Sequence, residues 1–202
     1  MKYLFVLLVL CSAIACKNTS TQELEPLYSI QKEYIADSAM VVSAHPLASE
    51  AALSMIERGG NAIDAMVALH FALAVVYPRA GNIGGGGFMV YRPQNDSAIS
   101  LDFREKAPAA AHRDMYLDTA GNALDSLSIF GHLACGVPGS VEGMYVAHQK
   151  YGLLDWEILL QPAINMALNG IAATEREIVA YNKYMPQFAQ YNPHTNAFVK
   201  DS

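Results

Sequence analysis

The chain has 202 residues, 52% of them hydrophobic and 16% charged, with a formal net charge of -6. That balance excludes a disordered polar chain and a basic nucleic-acid-binding surface, so no nucleic-acid partner is expected. The length is enough for one well-buried domain or for part of a larger one.

The N-terminal residues are separate from that domain. Met1-Lys2 precedes an apolar run at 3–14, then Ala15-Cys16 and a polar stretch. A charged start, a short apolar core and small residues before a cleavage point make 1–15 a secretory signal, and the core is too short to span a bilayer. Ala13-Ile14-Ala15-Cys16 resembles a bacterial lipoprotein box. Cys16 is therefore the candidate lipidation site, with ordinary secretion as the alternative, and membrane contact is expected only through that anchor. The expected destination is the periplasm or the cell surface. Residues 16–38 read as a tether and 39–202 as the globular body. Cys11 and Cys16 both fall in the export region, so the body keeps only Cys135. No disulfide framework or thiolate zinc site can be built from one cysteine, and Cys135 reads as a small buried apolar residue.

Within the body, Met40-Val41-Val42-Ser43-Ala44 is a short β-prone run, and His45-Pro46 is a helix entry because proline fits a helix's first turn. Leu47, Ala51, Ala52, Met55 and Ile56 fall on one helical stripe, which Gly59-Gly60 stops. Asn61 is placed to cap the next helix, with Asp64 in its first turn. From Ala62 to Val76 this helix is apolar almost all round, so it belongs at the centre of a layered core. Beyond Pro78, Phe88-Met89-Val90-Tyr91 and Ala98-Ile99-Ser100-Leu101 flank the turn Pro93-Gln94-Asn95-Asp96, a β-hairpin pattern. Gly136-Val137-Pro138-Gly139 reads as a turn, with Ser140 capping a helix over 141–149 that ends at Gly152. Further helices are expected over 153–169, interrupted by Pro162, and over 174–184. The loop-like stretch 191–194 reads as the unfinished end of a fragment.

The chemistry concentrates in two places. Gly84-Gly85-Gly86-Gly87 permits close approach of backbone to backbone, or forms an anion-binding nest. A phosphate loop is excluded, because Phe88-Met89 stands where lysine and a hydroxyl residue are required. In Asp102-Phe103-Arg104-Glu105, an extended backbone turns the acidic neighbours away from Arg104 and leaves its guanidinium free to clamp a carboxylate. An ordinary salt bridge is the competing reading. His45, His70, His112, His132, His148 and His194 lack metal-ligand spacing, so no metal or cofactor is expected, and His70 reads as a hydrogen-bonded core histidine. No Gly-x-Ser-x-Gly motif occurs, and no nucleophile and base pair stands out.

His45-Pro46-Leu47-Ala48-Ser49-Glu50, Gly59-Gly60-Asn61-Ala62-Ile63-Asp64-Ala65, Gly81-Asn82-Ile83 with the glycine run, Asp102-Phe103-Arg104-Glu105 and Val137-Pro138-Gly139-Ser140 occur in this order. Together they resemble the N-terminal part of γ-glutamyltransferases, also called glutathione hydrolases, over about residues 39–171. The resemblance implies an α+β fold, the αββα sandwich of N-terminal nucleophile hydrolases, with only its N-terminal part present. It implies a precursor that cleaves itself into large and small subunits. It also implies an acyl-enzyme on a threonine that lies downstream of this chain, leaving no catalytic residue here and the fragment alone inactive. Arg104 takes the substrate-binding role, holding the α-carboxylate of a γ-glutamyl substrate such as glutathione, with the small subunit as protein partner. Two alternatives stand beside this: a related glutaryl or cephalosporin acylase, and a non-catalytic lipid-anchored binder of acidic amino acids.

Overall fold

The computed structural model describes residues 33–192. The signal segment, Cys16, much of the tether and the end of the chain lie outside the described residues. Helix α1 (Pro46–Glu57) opens with Pro46 at its first turn, and the imidazole of His45 accepts the Leu47 N–H at 3.2 Å. Gly59, at φ 88°, ends it in a conformation that disfavours a side chain.

Helix α2 (Ala62–Val76) has the predicted limits. Its start is a reciprocal capping box: Asn61 Oδ1 accepts from the Ile63 and Asp64 N–H groups, and Asp64 accepts the Asn61 N–H at 2.8 Å. Its nearly all-round apolar surface is explained by what packs around it. Helix α1 lies along one side through Ala48, Ala51, Ala72 and Val76. Helices α3 (Ser140–Tyr151) and α4 (Trp156–Asn169) cover it through Met144 and Leu159, which meet Met55, Val67 and Ala68. Small residues at the crossing let α1 and α2 approach closely.

Strands β1 (Phe88–Tyr91) and β2 (Ile99–Asp102) form an antiparallel hairpin with Phe88 opposite Asp102 and Tyr91 opposite Ile99. Asn95, at φ 62°, takes the left-handed turn position that asparagine tolerates. One sheet face, carrying Met89, Tyr91, Leu101 and Phe103, packs on Ile63 and Ala147. The other presents Phe88 and Val90 to solvent, 66% and 78% exposed. The described residues thus supply helices on one face of a two-stranded sheet, an α+β arrangement. Among them no helix is long and apolar enough to cross a membrane.

Five sequence expectations change. Residues 40–44 form no strand, because no other strand among the described residues lies beside them, and Met40 and Val42 are exposed. Residues 136–139 are not a turn: Val137 bridges antiparallel to Lys106, with the bonds Val137 N–H to Lys106 O and Lys106 N–H to Val137 O at 2.9 and 3.2 Å. Ser140 does not cap α3 but is its first residue, since Gly85 O accepts the Gly139 and Ser140 N–H groups and so does the capping. Pro162 does not interrupt α4, whose apolar face at Leu159 and Ala163 is held in the core on either side of it. Helix α5 (Glu175–Tyr191) runs past Tyr184 through Pro186. It begins in a Thr174–Glu177 capping box, and Phe130 stacks on Tyr191 at its far end, 6.3 Å between ring centroids.

Candidate functional site: the Arg104 corner

The glycine run is a packing device. Gly85 O takes the two N–H groups at the entrance to α3, at 2.9 and 3.0 Å. Beyond it the hairpin ladder continues past β1 and β2, with Phe103 N–H donating to Gly87 O at 3.0 Å. A Cβ on Gly86 would stand 2.5 Å from Phe103 O and 2.8 Å from Arg104 Cα. A Cβ on Gly139 would collide with Phe103 O as well, and one on Gly143 with the Phe103 ring. The backbone of residues 103–105 is therefore clasped between the glycine run and the start of α3, and only glycine permits the approach. The nest reading is not met, because nests need left-handed residues and none of the four glycines has positive φ.

Arg104 emerges from this clasp one residue after Phe103. Its backbone N–H donates to Asp102 Oδ1 at 3.0 Å, which turns the Asp102 carboxylate back along the chain. Its side chain is 62% exposed and its Nε donates to Glu105 Oε2 at 3.2 Å. The expectation that both acidic neighbours point away is thus wrong for Glu105. Strand β2 ends at Asp102, so the alternation that would separate the two side chains has already stopped. The Glu105 N–H, the Arg104 guanidinium and the Gly86 N–H together hold the Glu105 carboxyl below the usual carboxylate range. The pair occupies Nε alone. Among the described residues no hydrogen bond to the terminal nitrogens of Arg104 is present, so its end-on fork remains open for a bidentate anion. The Arg104 Cζ also lies 5.7 Å from the centre of the exposed Phe88 ring, a contact that sequence reasoning missed.

The remaining expected residues lie elsewhere. Cys135 is exposed, not buried, because it closes a short 3-10 turn (His132–Ala134) on the surface. His70 is half-buried. Burial pulls its pKa down against an opposing interaction with the Asn82 backbone, and its Nε2 has no partner, so it is only partly the satisfied core histidine expected. Among the described residues no group of three or more His, Cys, Asp or Glu side chains could hold a metal ion. Asp64, read from sequence as a helix-start charge, does more: it also accepts the Leu153 N–H at 3.1 and 3.2 Å and the Leu154 N–H at 3.3 Å, tying the α3–α4 link to α2.

The sequence profile of the Gamma-glutamyltranspeptidase family matches residues 48–202. A Glutathione hydrolase proenzyme of Pseudomonas sp. strain A14 is 49% identical over 143 residues, covering 71% of this chain and 25% of the relative. That of Escherichia coli K12 is 44% identical over 140 residues, covering 69% of this chain and 24% of the relative. The crystal structure of Helicobacter pylori gamma-glutamyltranspeptidase superposes with a TM-score of 0.79 at 45% identity, covering 84% of this chain and 49% of that one. The chain spans about a quarter of the length of these curated relatives. The profile match, the shared identity and a shared fold of the N-terminal nucleophile hydrolase type lead to one conclusion: the chain belongs to the gamma-glutamyltranspeptidase family.

Proposed function

We propose that these residues form the large-subunit portion of a glutathione hydrolase or γ-glutamyltransferase, and that Arg104 holds the α-carboxylate of the γ-glutamyl substrate. The observation that supports it most is the state of the guanidinium: Nε is engaged by Glu105, the backbone is clasped by Gly86 and Gly139, and the fork of terminal nitrogens is open. A planar fork fixed at one edge matches a carboxylate geometrically, which a lysine ammonium cannot do. The chemistry itself belongs to a threonine outside these residues. Its hydroxyl attacks the γ-amide carbon, its α-amine takes the proton, and the amine of cysteinylglycine leaves before water or an amino acid releases the glutamyl group. The protein partner is the small subunit of the same precursor.

In the complete, self-processed enzyme, Arg104→Lys should raise KM for a γ-glutamyl anilide about tenfold or more while kcat changes less, since charge is kept and paired donation is lost. Unchanged kinetics would remove Arg104 from the substrate site.

Export belongs to the same proposal: 1–15 is a signal, Cys16 a lipidated anchor, 16–38 a tether and 39–202 the body. Radiolabelled palmitate should enter the native protein and not Cys16→Ala. Equal labelling of the two would contradict the anchor.

A further inference from the structure

We infer that Phe88 is a positioning residue for Arg104, a stacking platform that orients the guanidinium for the carboxylate; this rests on the substrate-binding role proposed above. Phe88 lies directly opposite Asp102 across the hairpin, on the face turned away from the helices. Ser100 and Asp102 share that face and are exposed with it, and the Arg104 guanidinium reaches the same face from just past the end of β2. Among the described residues Phe88 belongs to none of the buried apolar clusters. It makes a specific contact: the Arg104 Cζ is 5.7 Å from its centroid, within the range of a cation–π attraction.

Three restraints then act on one guanidinium. The glycine clasp fixes its Cα, Glu105 fixes Nε, and the Phe88 ring limits rotation about the last side-chain torsions. Arginine loses much rotamer freedom when it binds a ligand, so restraint before binding lowers that cost and strengthens ground-state affinity. The ring's apolar area also excludes water from one side of the ion, which strengthens its pull on an anion. Neither effect touches the reacting carbonyl, so both act on KM and leave kcat alone. The position of Phe88 immediately after the glycine run follows from the same geometry, because the run sets where β1 begins relative to residues 103–105.

The test is a double-mutant cycle on the complete processed enzyme, with a γ-glutamyl anilide as the donor. Phe88→Leu keeps an apolar side chain and removes the aromatic face, while Phe88→Tyr keeps the face. Phe88→Leu should raise KM about two- to fivefold with kcat unchanged, and Phe88→Tyr should match the native enzyme. In an Arg104→Gln background, where no cation remains, Phe88→Leu should leave kcat/KM unchanged. A rise in KM of equal size in both backgrounds, a native KM for Phe88→Leu, or failure of Phe88→Tyr to restore the native value would each overturn the positioning role. Arg104→Gln alone reports separately on the clamp: if it has native KM, the substrate-binding reading fails first. Self-processing and the thermal midpoint, measured on every variant, identify a folding defect, and Phe88→Met then replaces Phe88→Leu as the non-aromatic member of the cycle.

Discussion

Asp64 and Arg104 are both charged residues placed beside glycines, and the protein treats them in opposite ways. Asp64 is fully buried, and its two oxygens accept N–H groups from Asn61, Leu153 and Leu154, next to Gly60, where a Cβ would meet Leu154 at 2.8 Å. Arg104 is well exposed, and one bond from Nε to Glu105 is all its guanidinium donates among the described residues. At the first site the glycine brings backbone donors to a charge that their hydrogen bonds stabilise. At the second, glycines fix the backbone under a charge that is left available. A buried ion surrounded by its own donors has no capacity left for a ligand, whereas an exposed ion on a rigid base retains it. Motif, charge and glycine content do not separate the two; the count of internal partners does.

The comparison is broken most sharply at the buried end. Asp64→Ala removes the acceptor for three backbone N–H groups in partly enclosed positions and should cost roughly 3 kcal/mol or more of stability in the complete enzyme. Denaturant unfolding would register it, while molecules that do fold should keep a native KM. A native unfolding midpoint would mean that water satisfies those groups and that Asp64 is not the tie.

At the exposed end the expected signature is reversed. Gly86→Ala drives a methyl group into Phe103 O and the Arg104 backbone, so residues 103–105 must move by a fraction of an ångström. Misplacement on that scale should lower kcat/KM for a γ-glutamyl anilide by about a hundredfold, with a loss of stability of about 1–2 kcal/mol. Steady-state kinetics on folded material would check this, and native kcat/KM would show that the clasp has slack.

The smallest effect concerns His70, which belongs to neither class: it is half-buried, and its Nε2 is unpartnered. Burial lowers its pKa from the ordinary 6.5. The unfolded chain therefore takes up this proton first as pH falls, so stability is complete above 6.5 and is lost as pH drops through that value toward the lower folded pKa. His70→Gln should flatten this limb of the pH–stability curve in urea titrations between about pH 7 and 5. An unchanged slope would locate the pH dependence elsewhere.

The helical half was largely legible in the sequence because its signals are local. Asn61 with Asp64, the stop at Gly59 and the nearly all-round apolar surface of α2 each follow from spacing along one element. The Arg104 corner was legible only in part. Arg104 could be singled out from residue type and neighbours, yet its geometry depends on contacts between segments far apart in the chain. Gly139 and Gly143 meet Phe103, and Gly85 caps α3 in place of Ser140. The four-residue spacing of Gly139, at the N-cap of α3, and Gly143 within it was the available signal, since it marks a face shaved to admit a ring. Glu105 was misjudged because alternation was extended past the end of β2, and Phe88 was overlooked because its contact with Arg104 crosses the sheet.

The central claim is that the open fork of Arg104 takes the α-carboxylate. The most direct measurement compares two donors, a γ-glutamyl anilide and the matched 4-aminobutanoyl anilide, which keeps the amine and lacks the α-carboxylate, on the native and Arg104→Lys forms of the complete enzyme. The native enzyme should prefer the carboxylate-bearing donor in kcat/KM, and Arg104→Lys should shrink that preference about tenfold or more, mostly by weakening the first donor. An identical preference in both proteins would contradict the claim and leave Arg104 as a surface partner of Glu105.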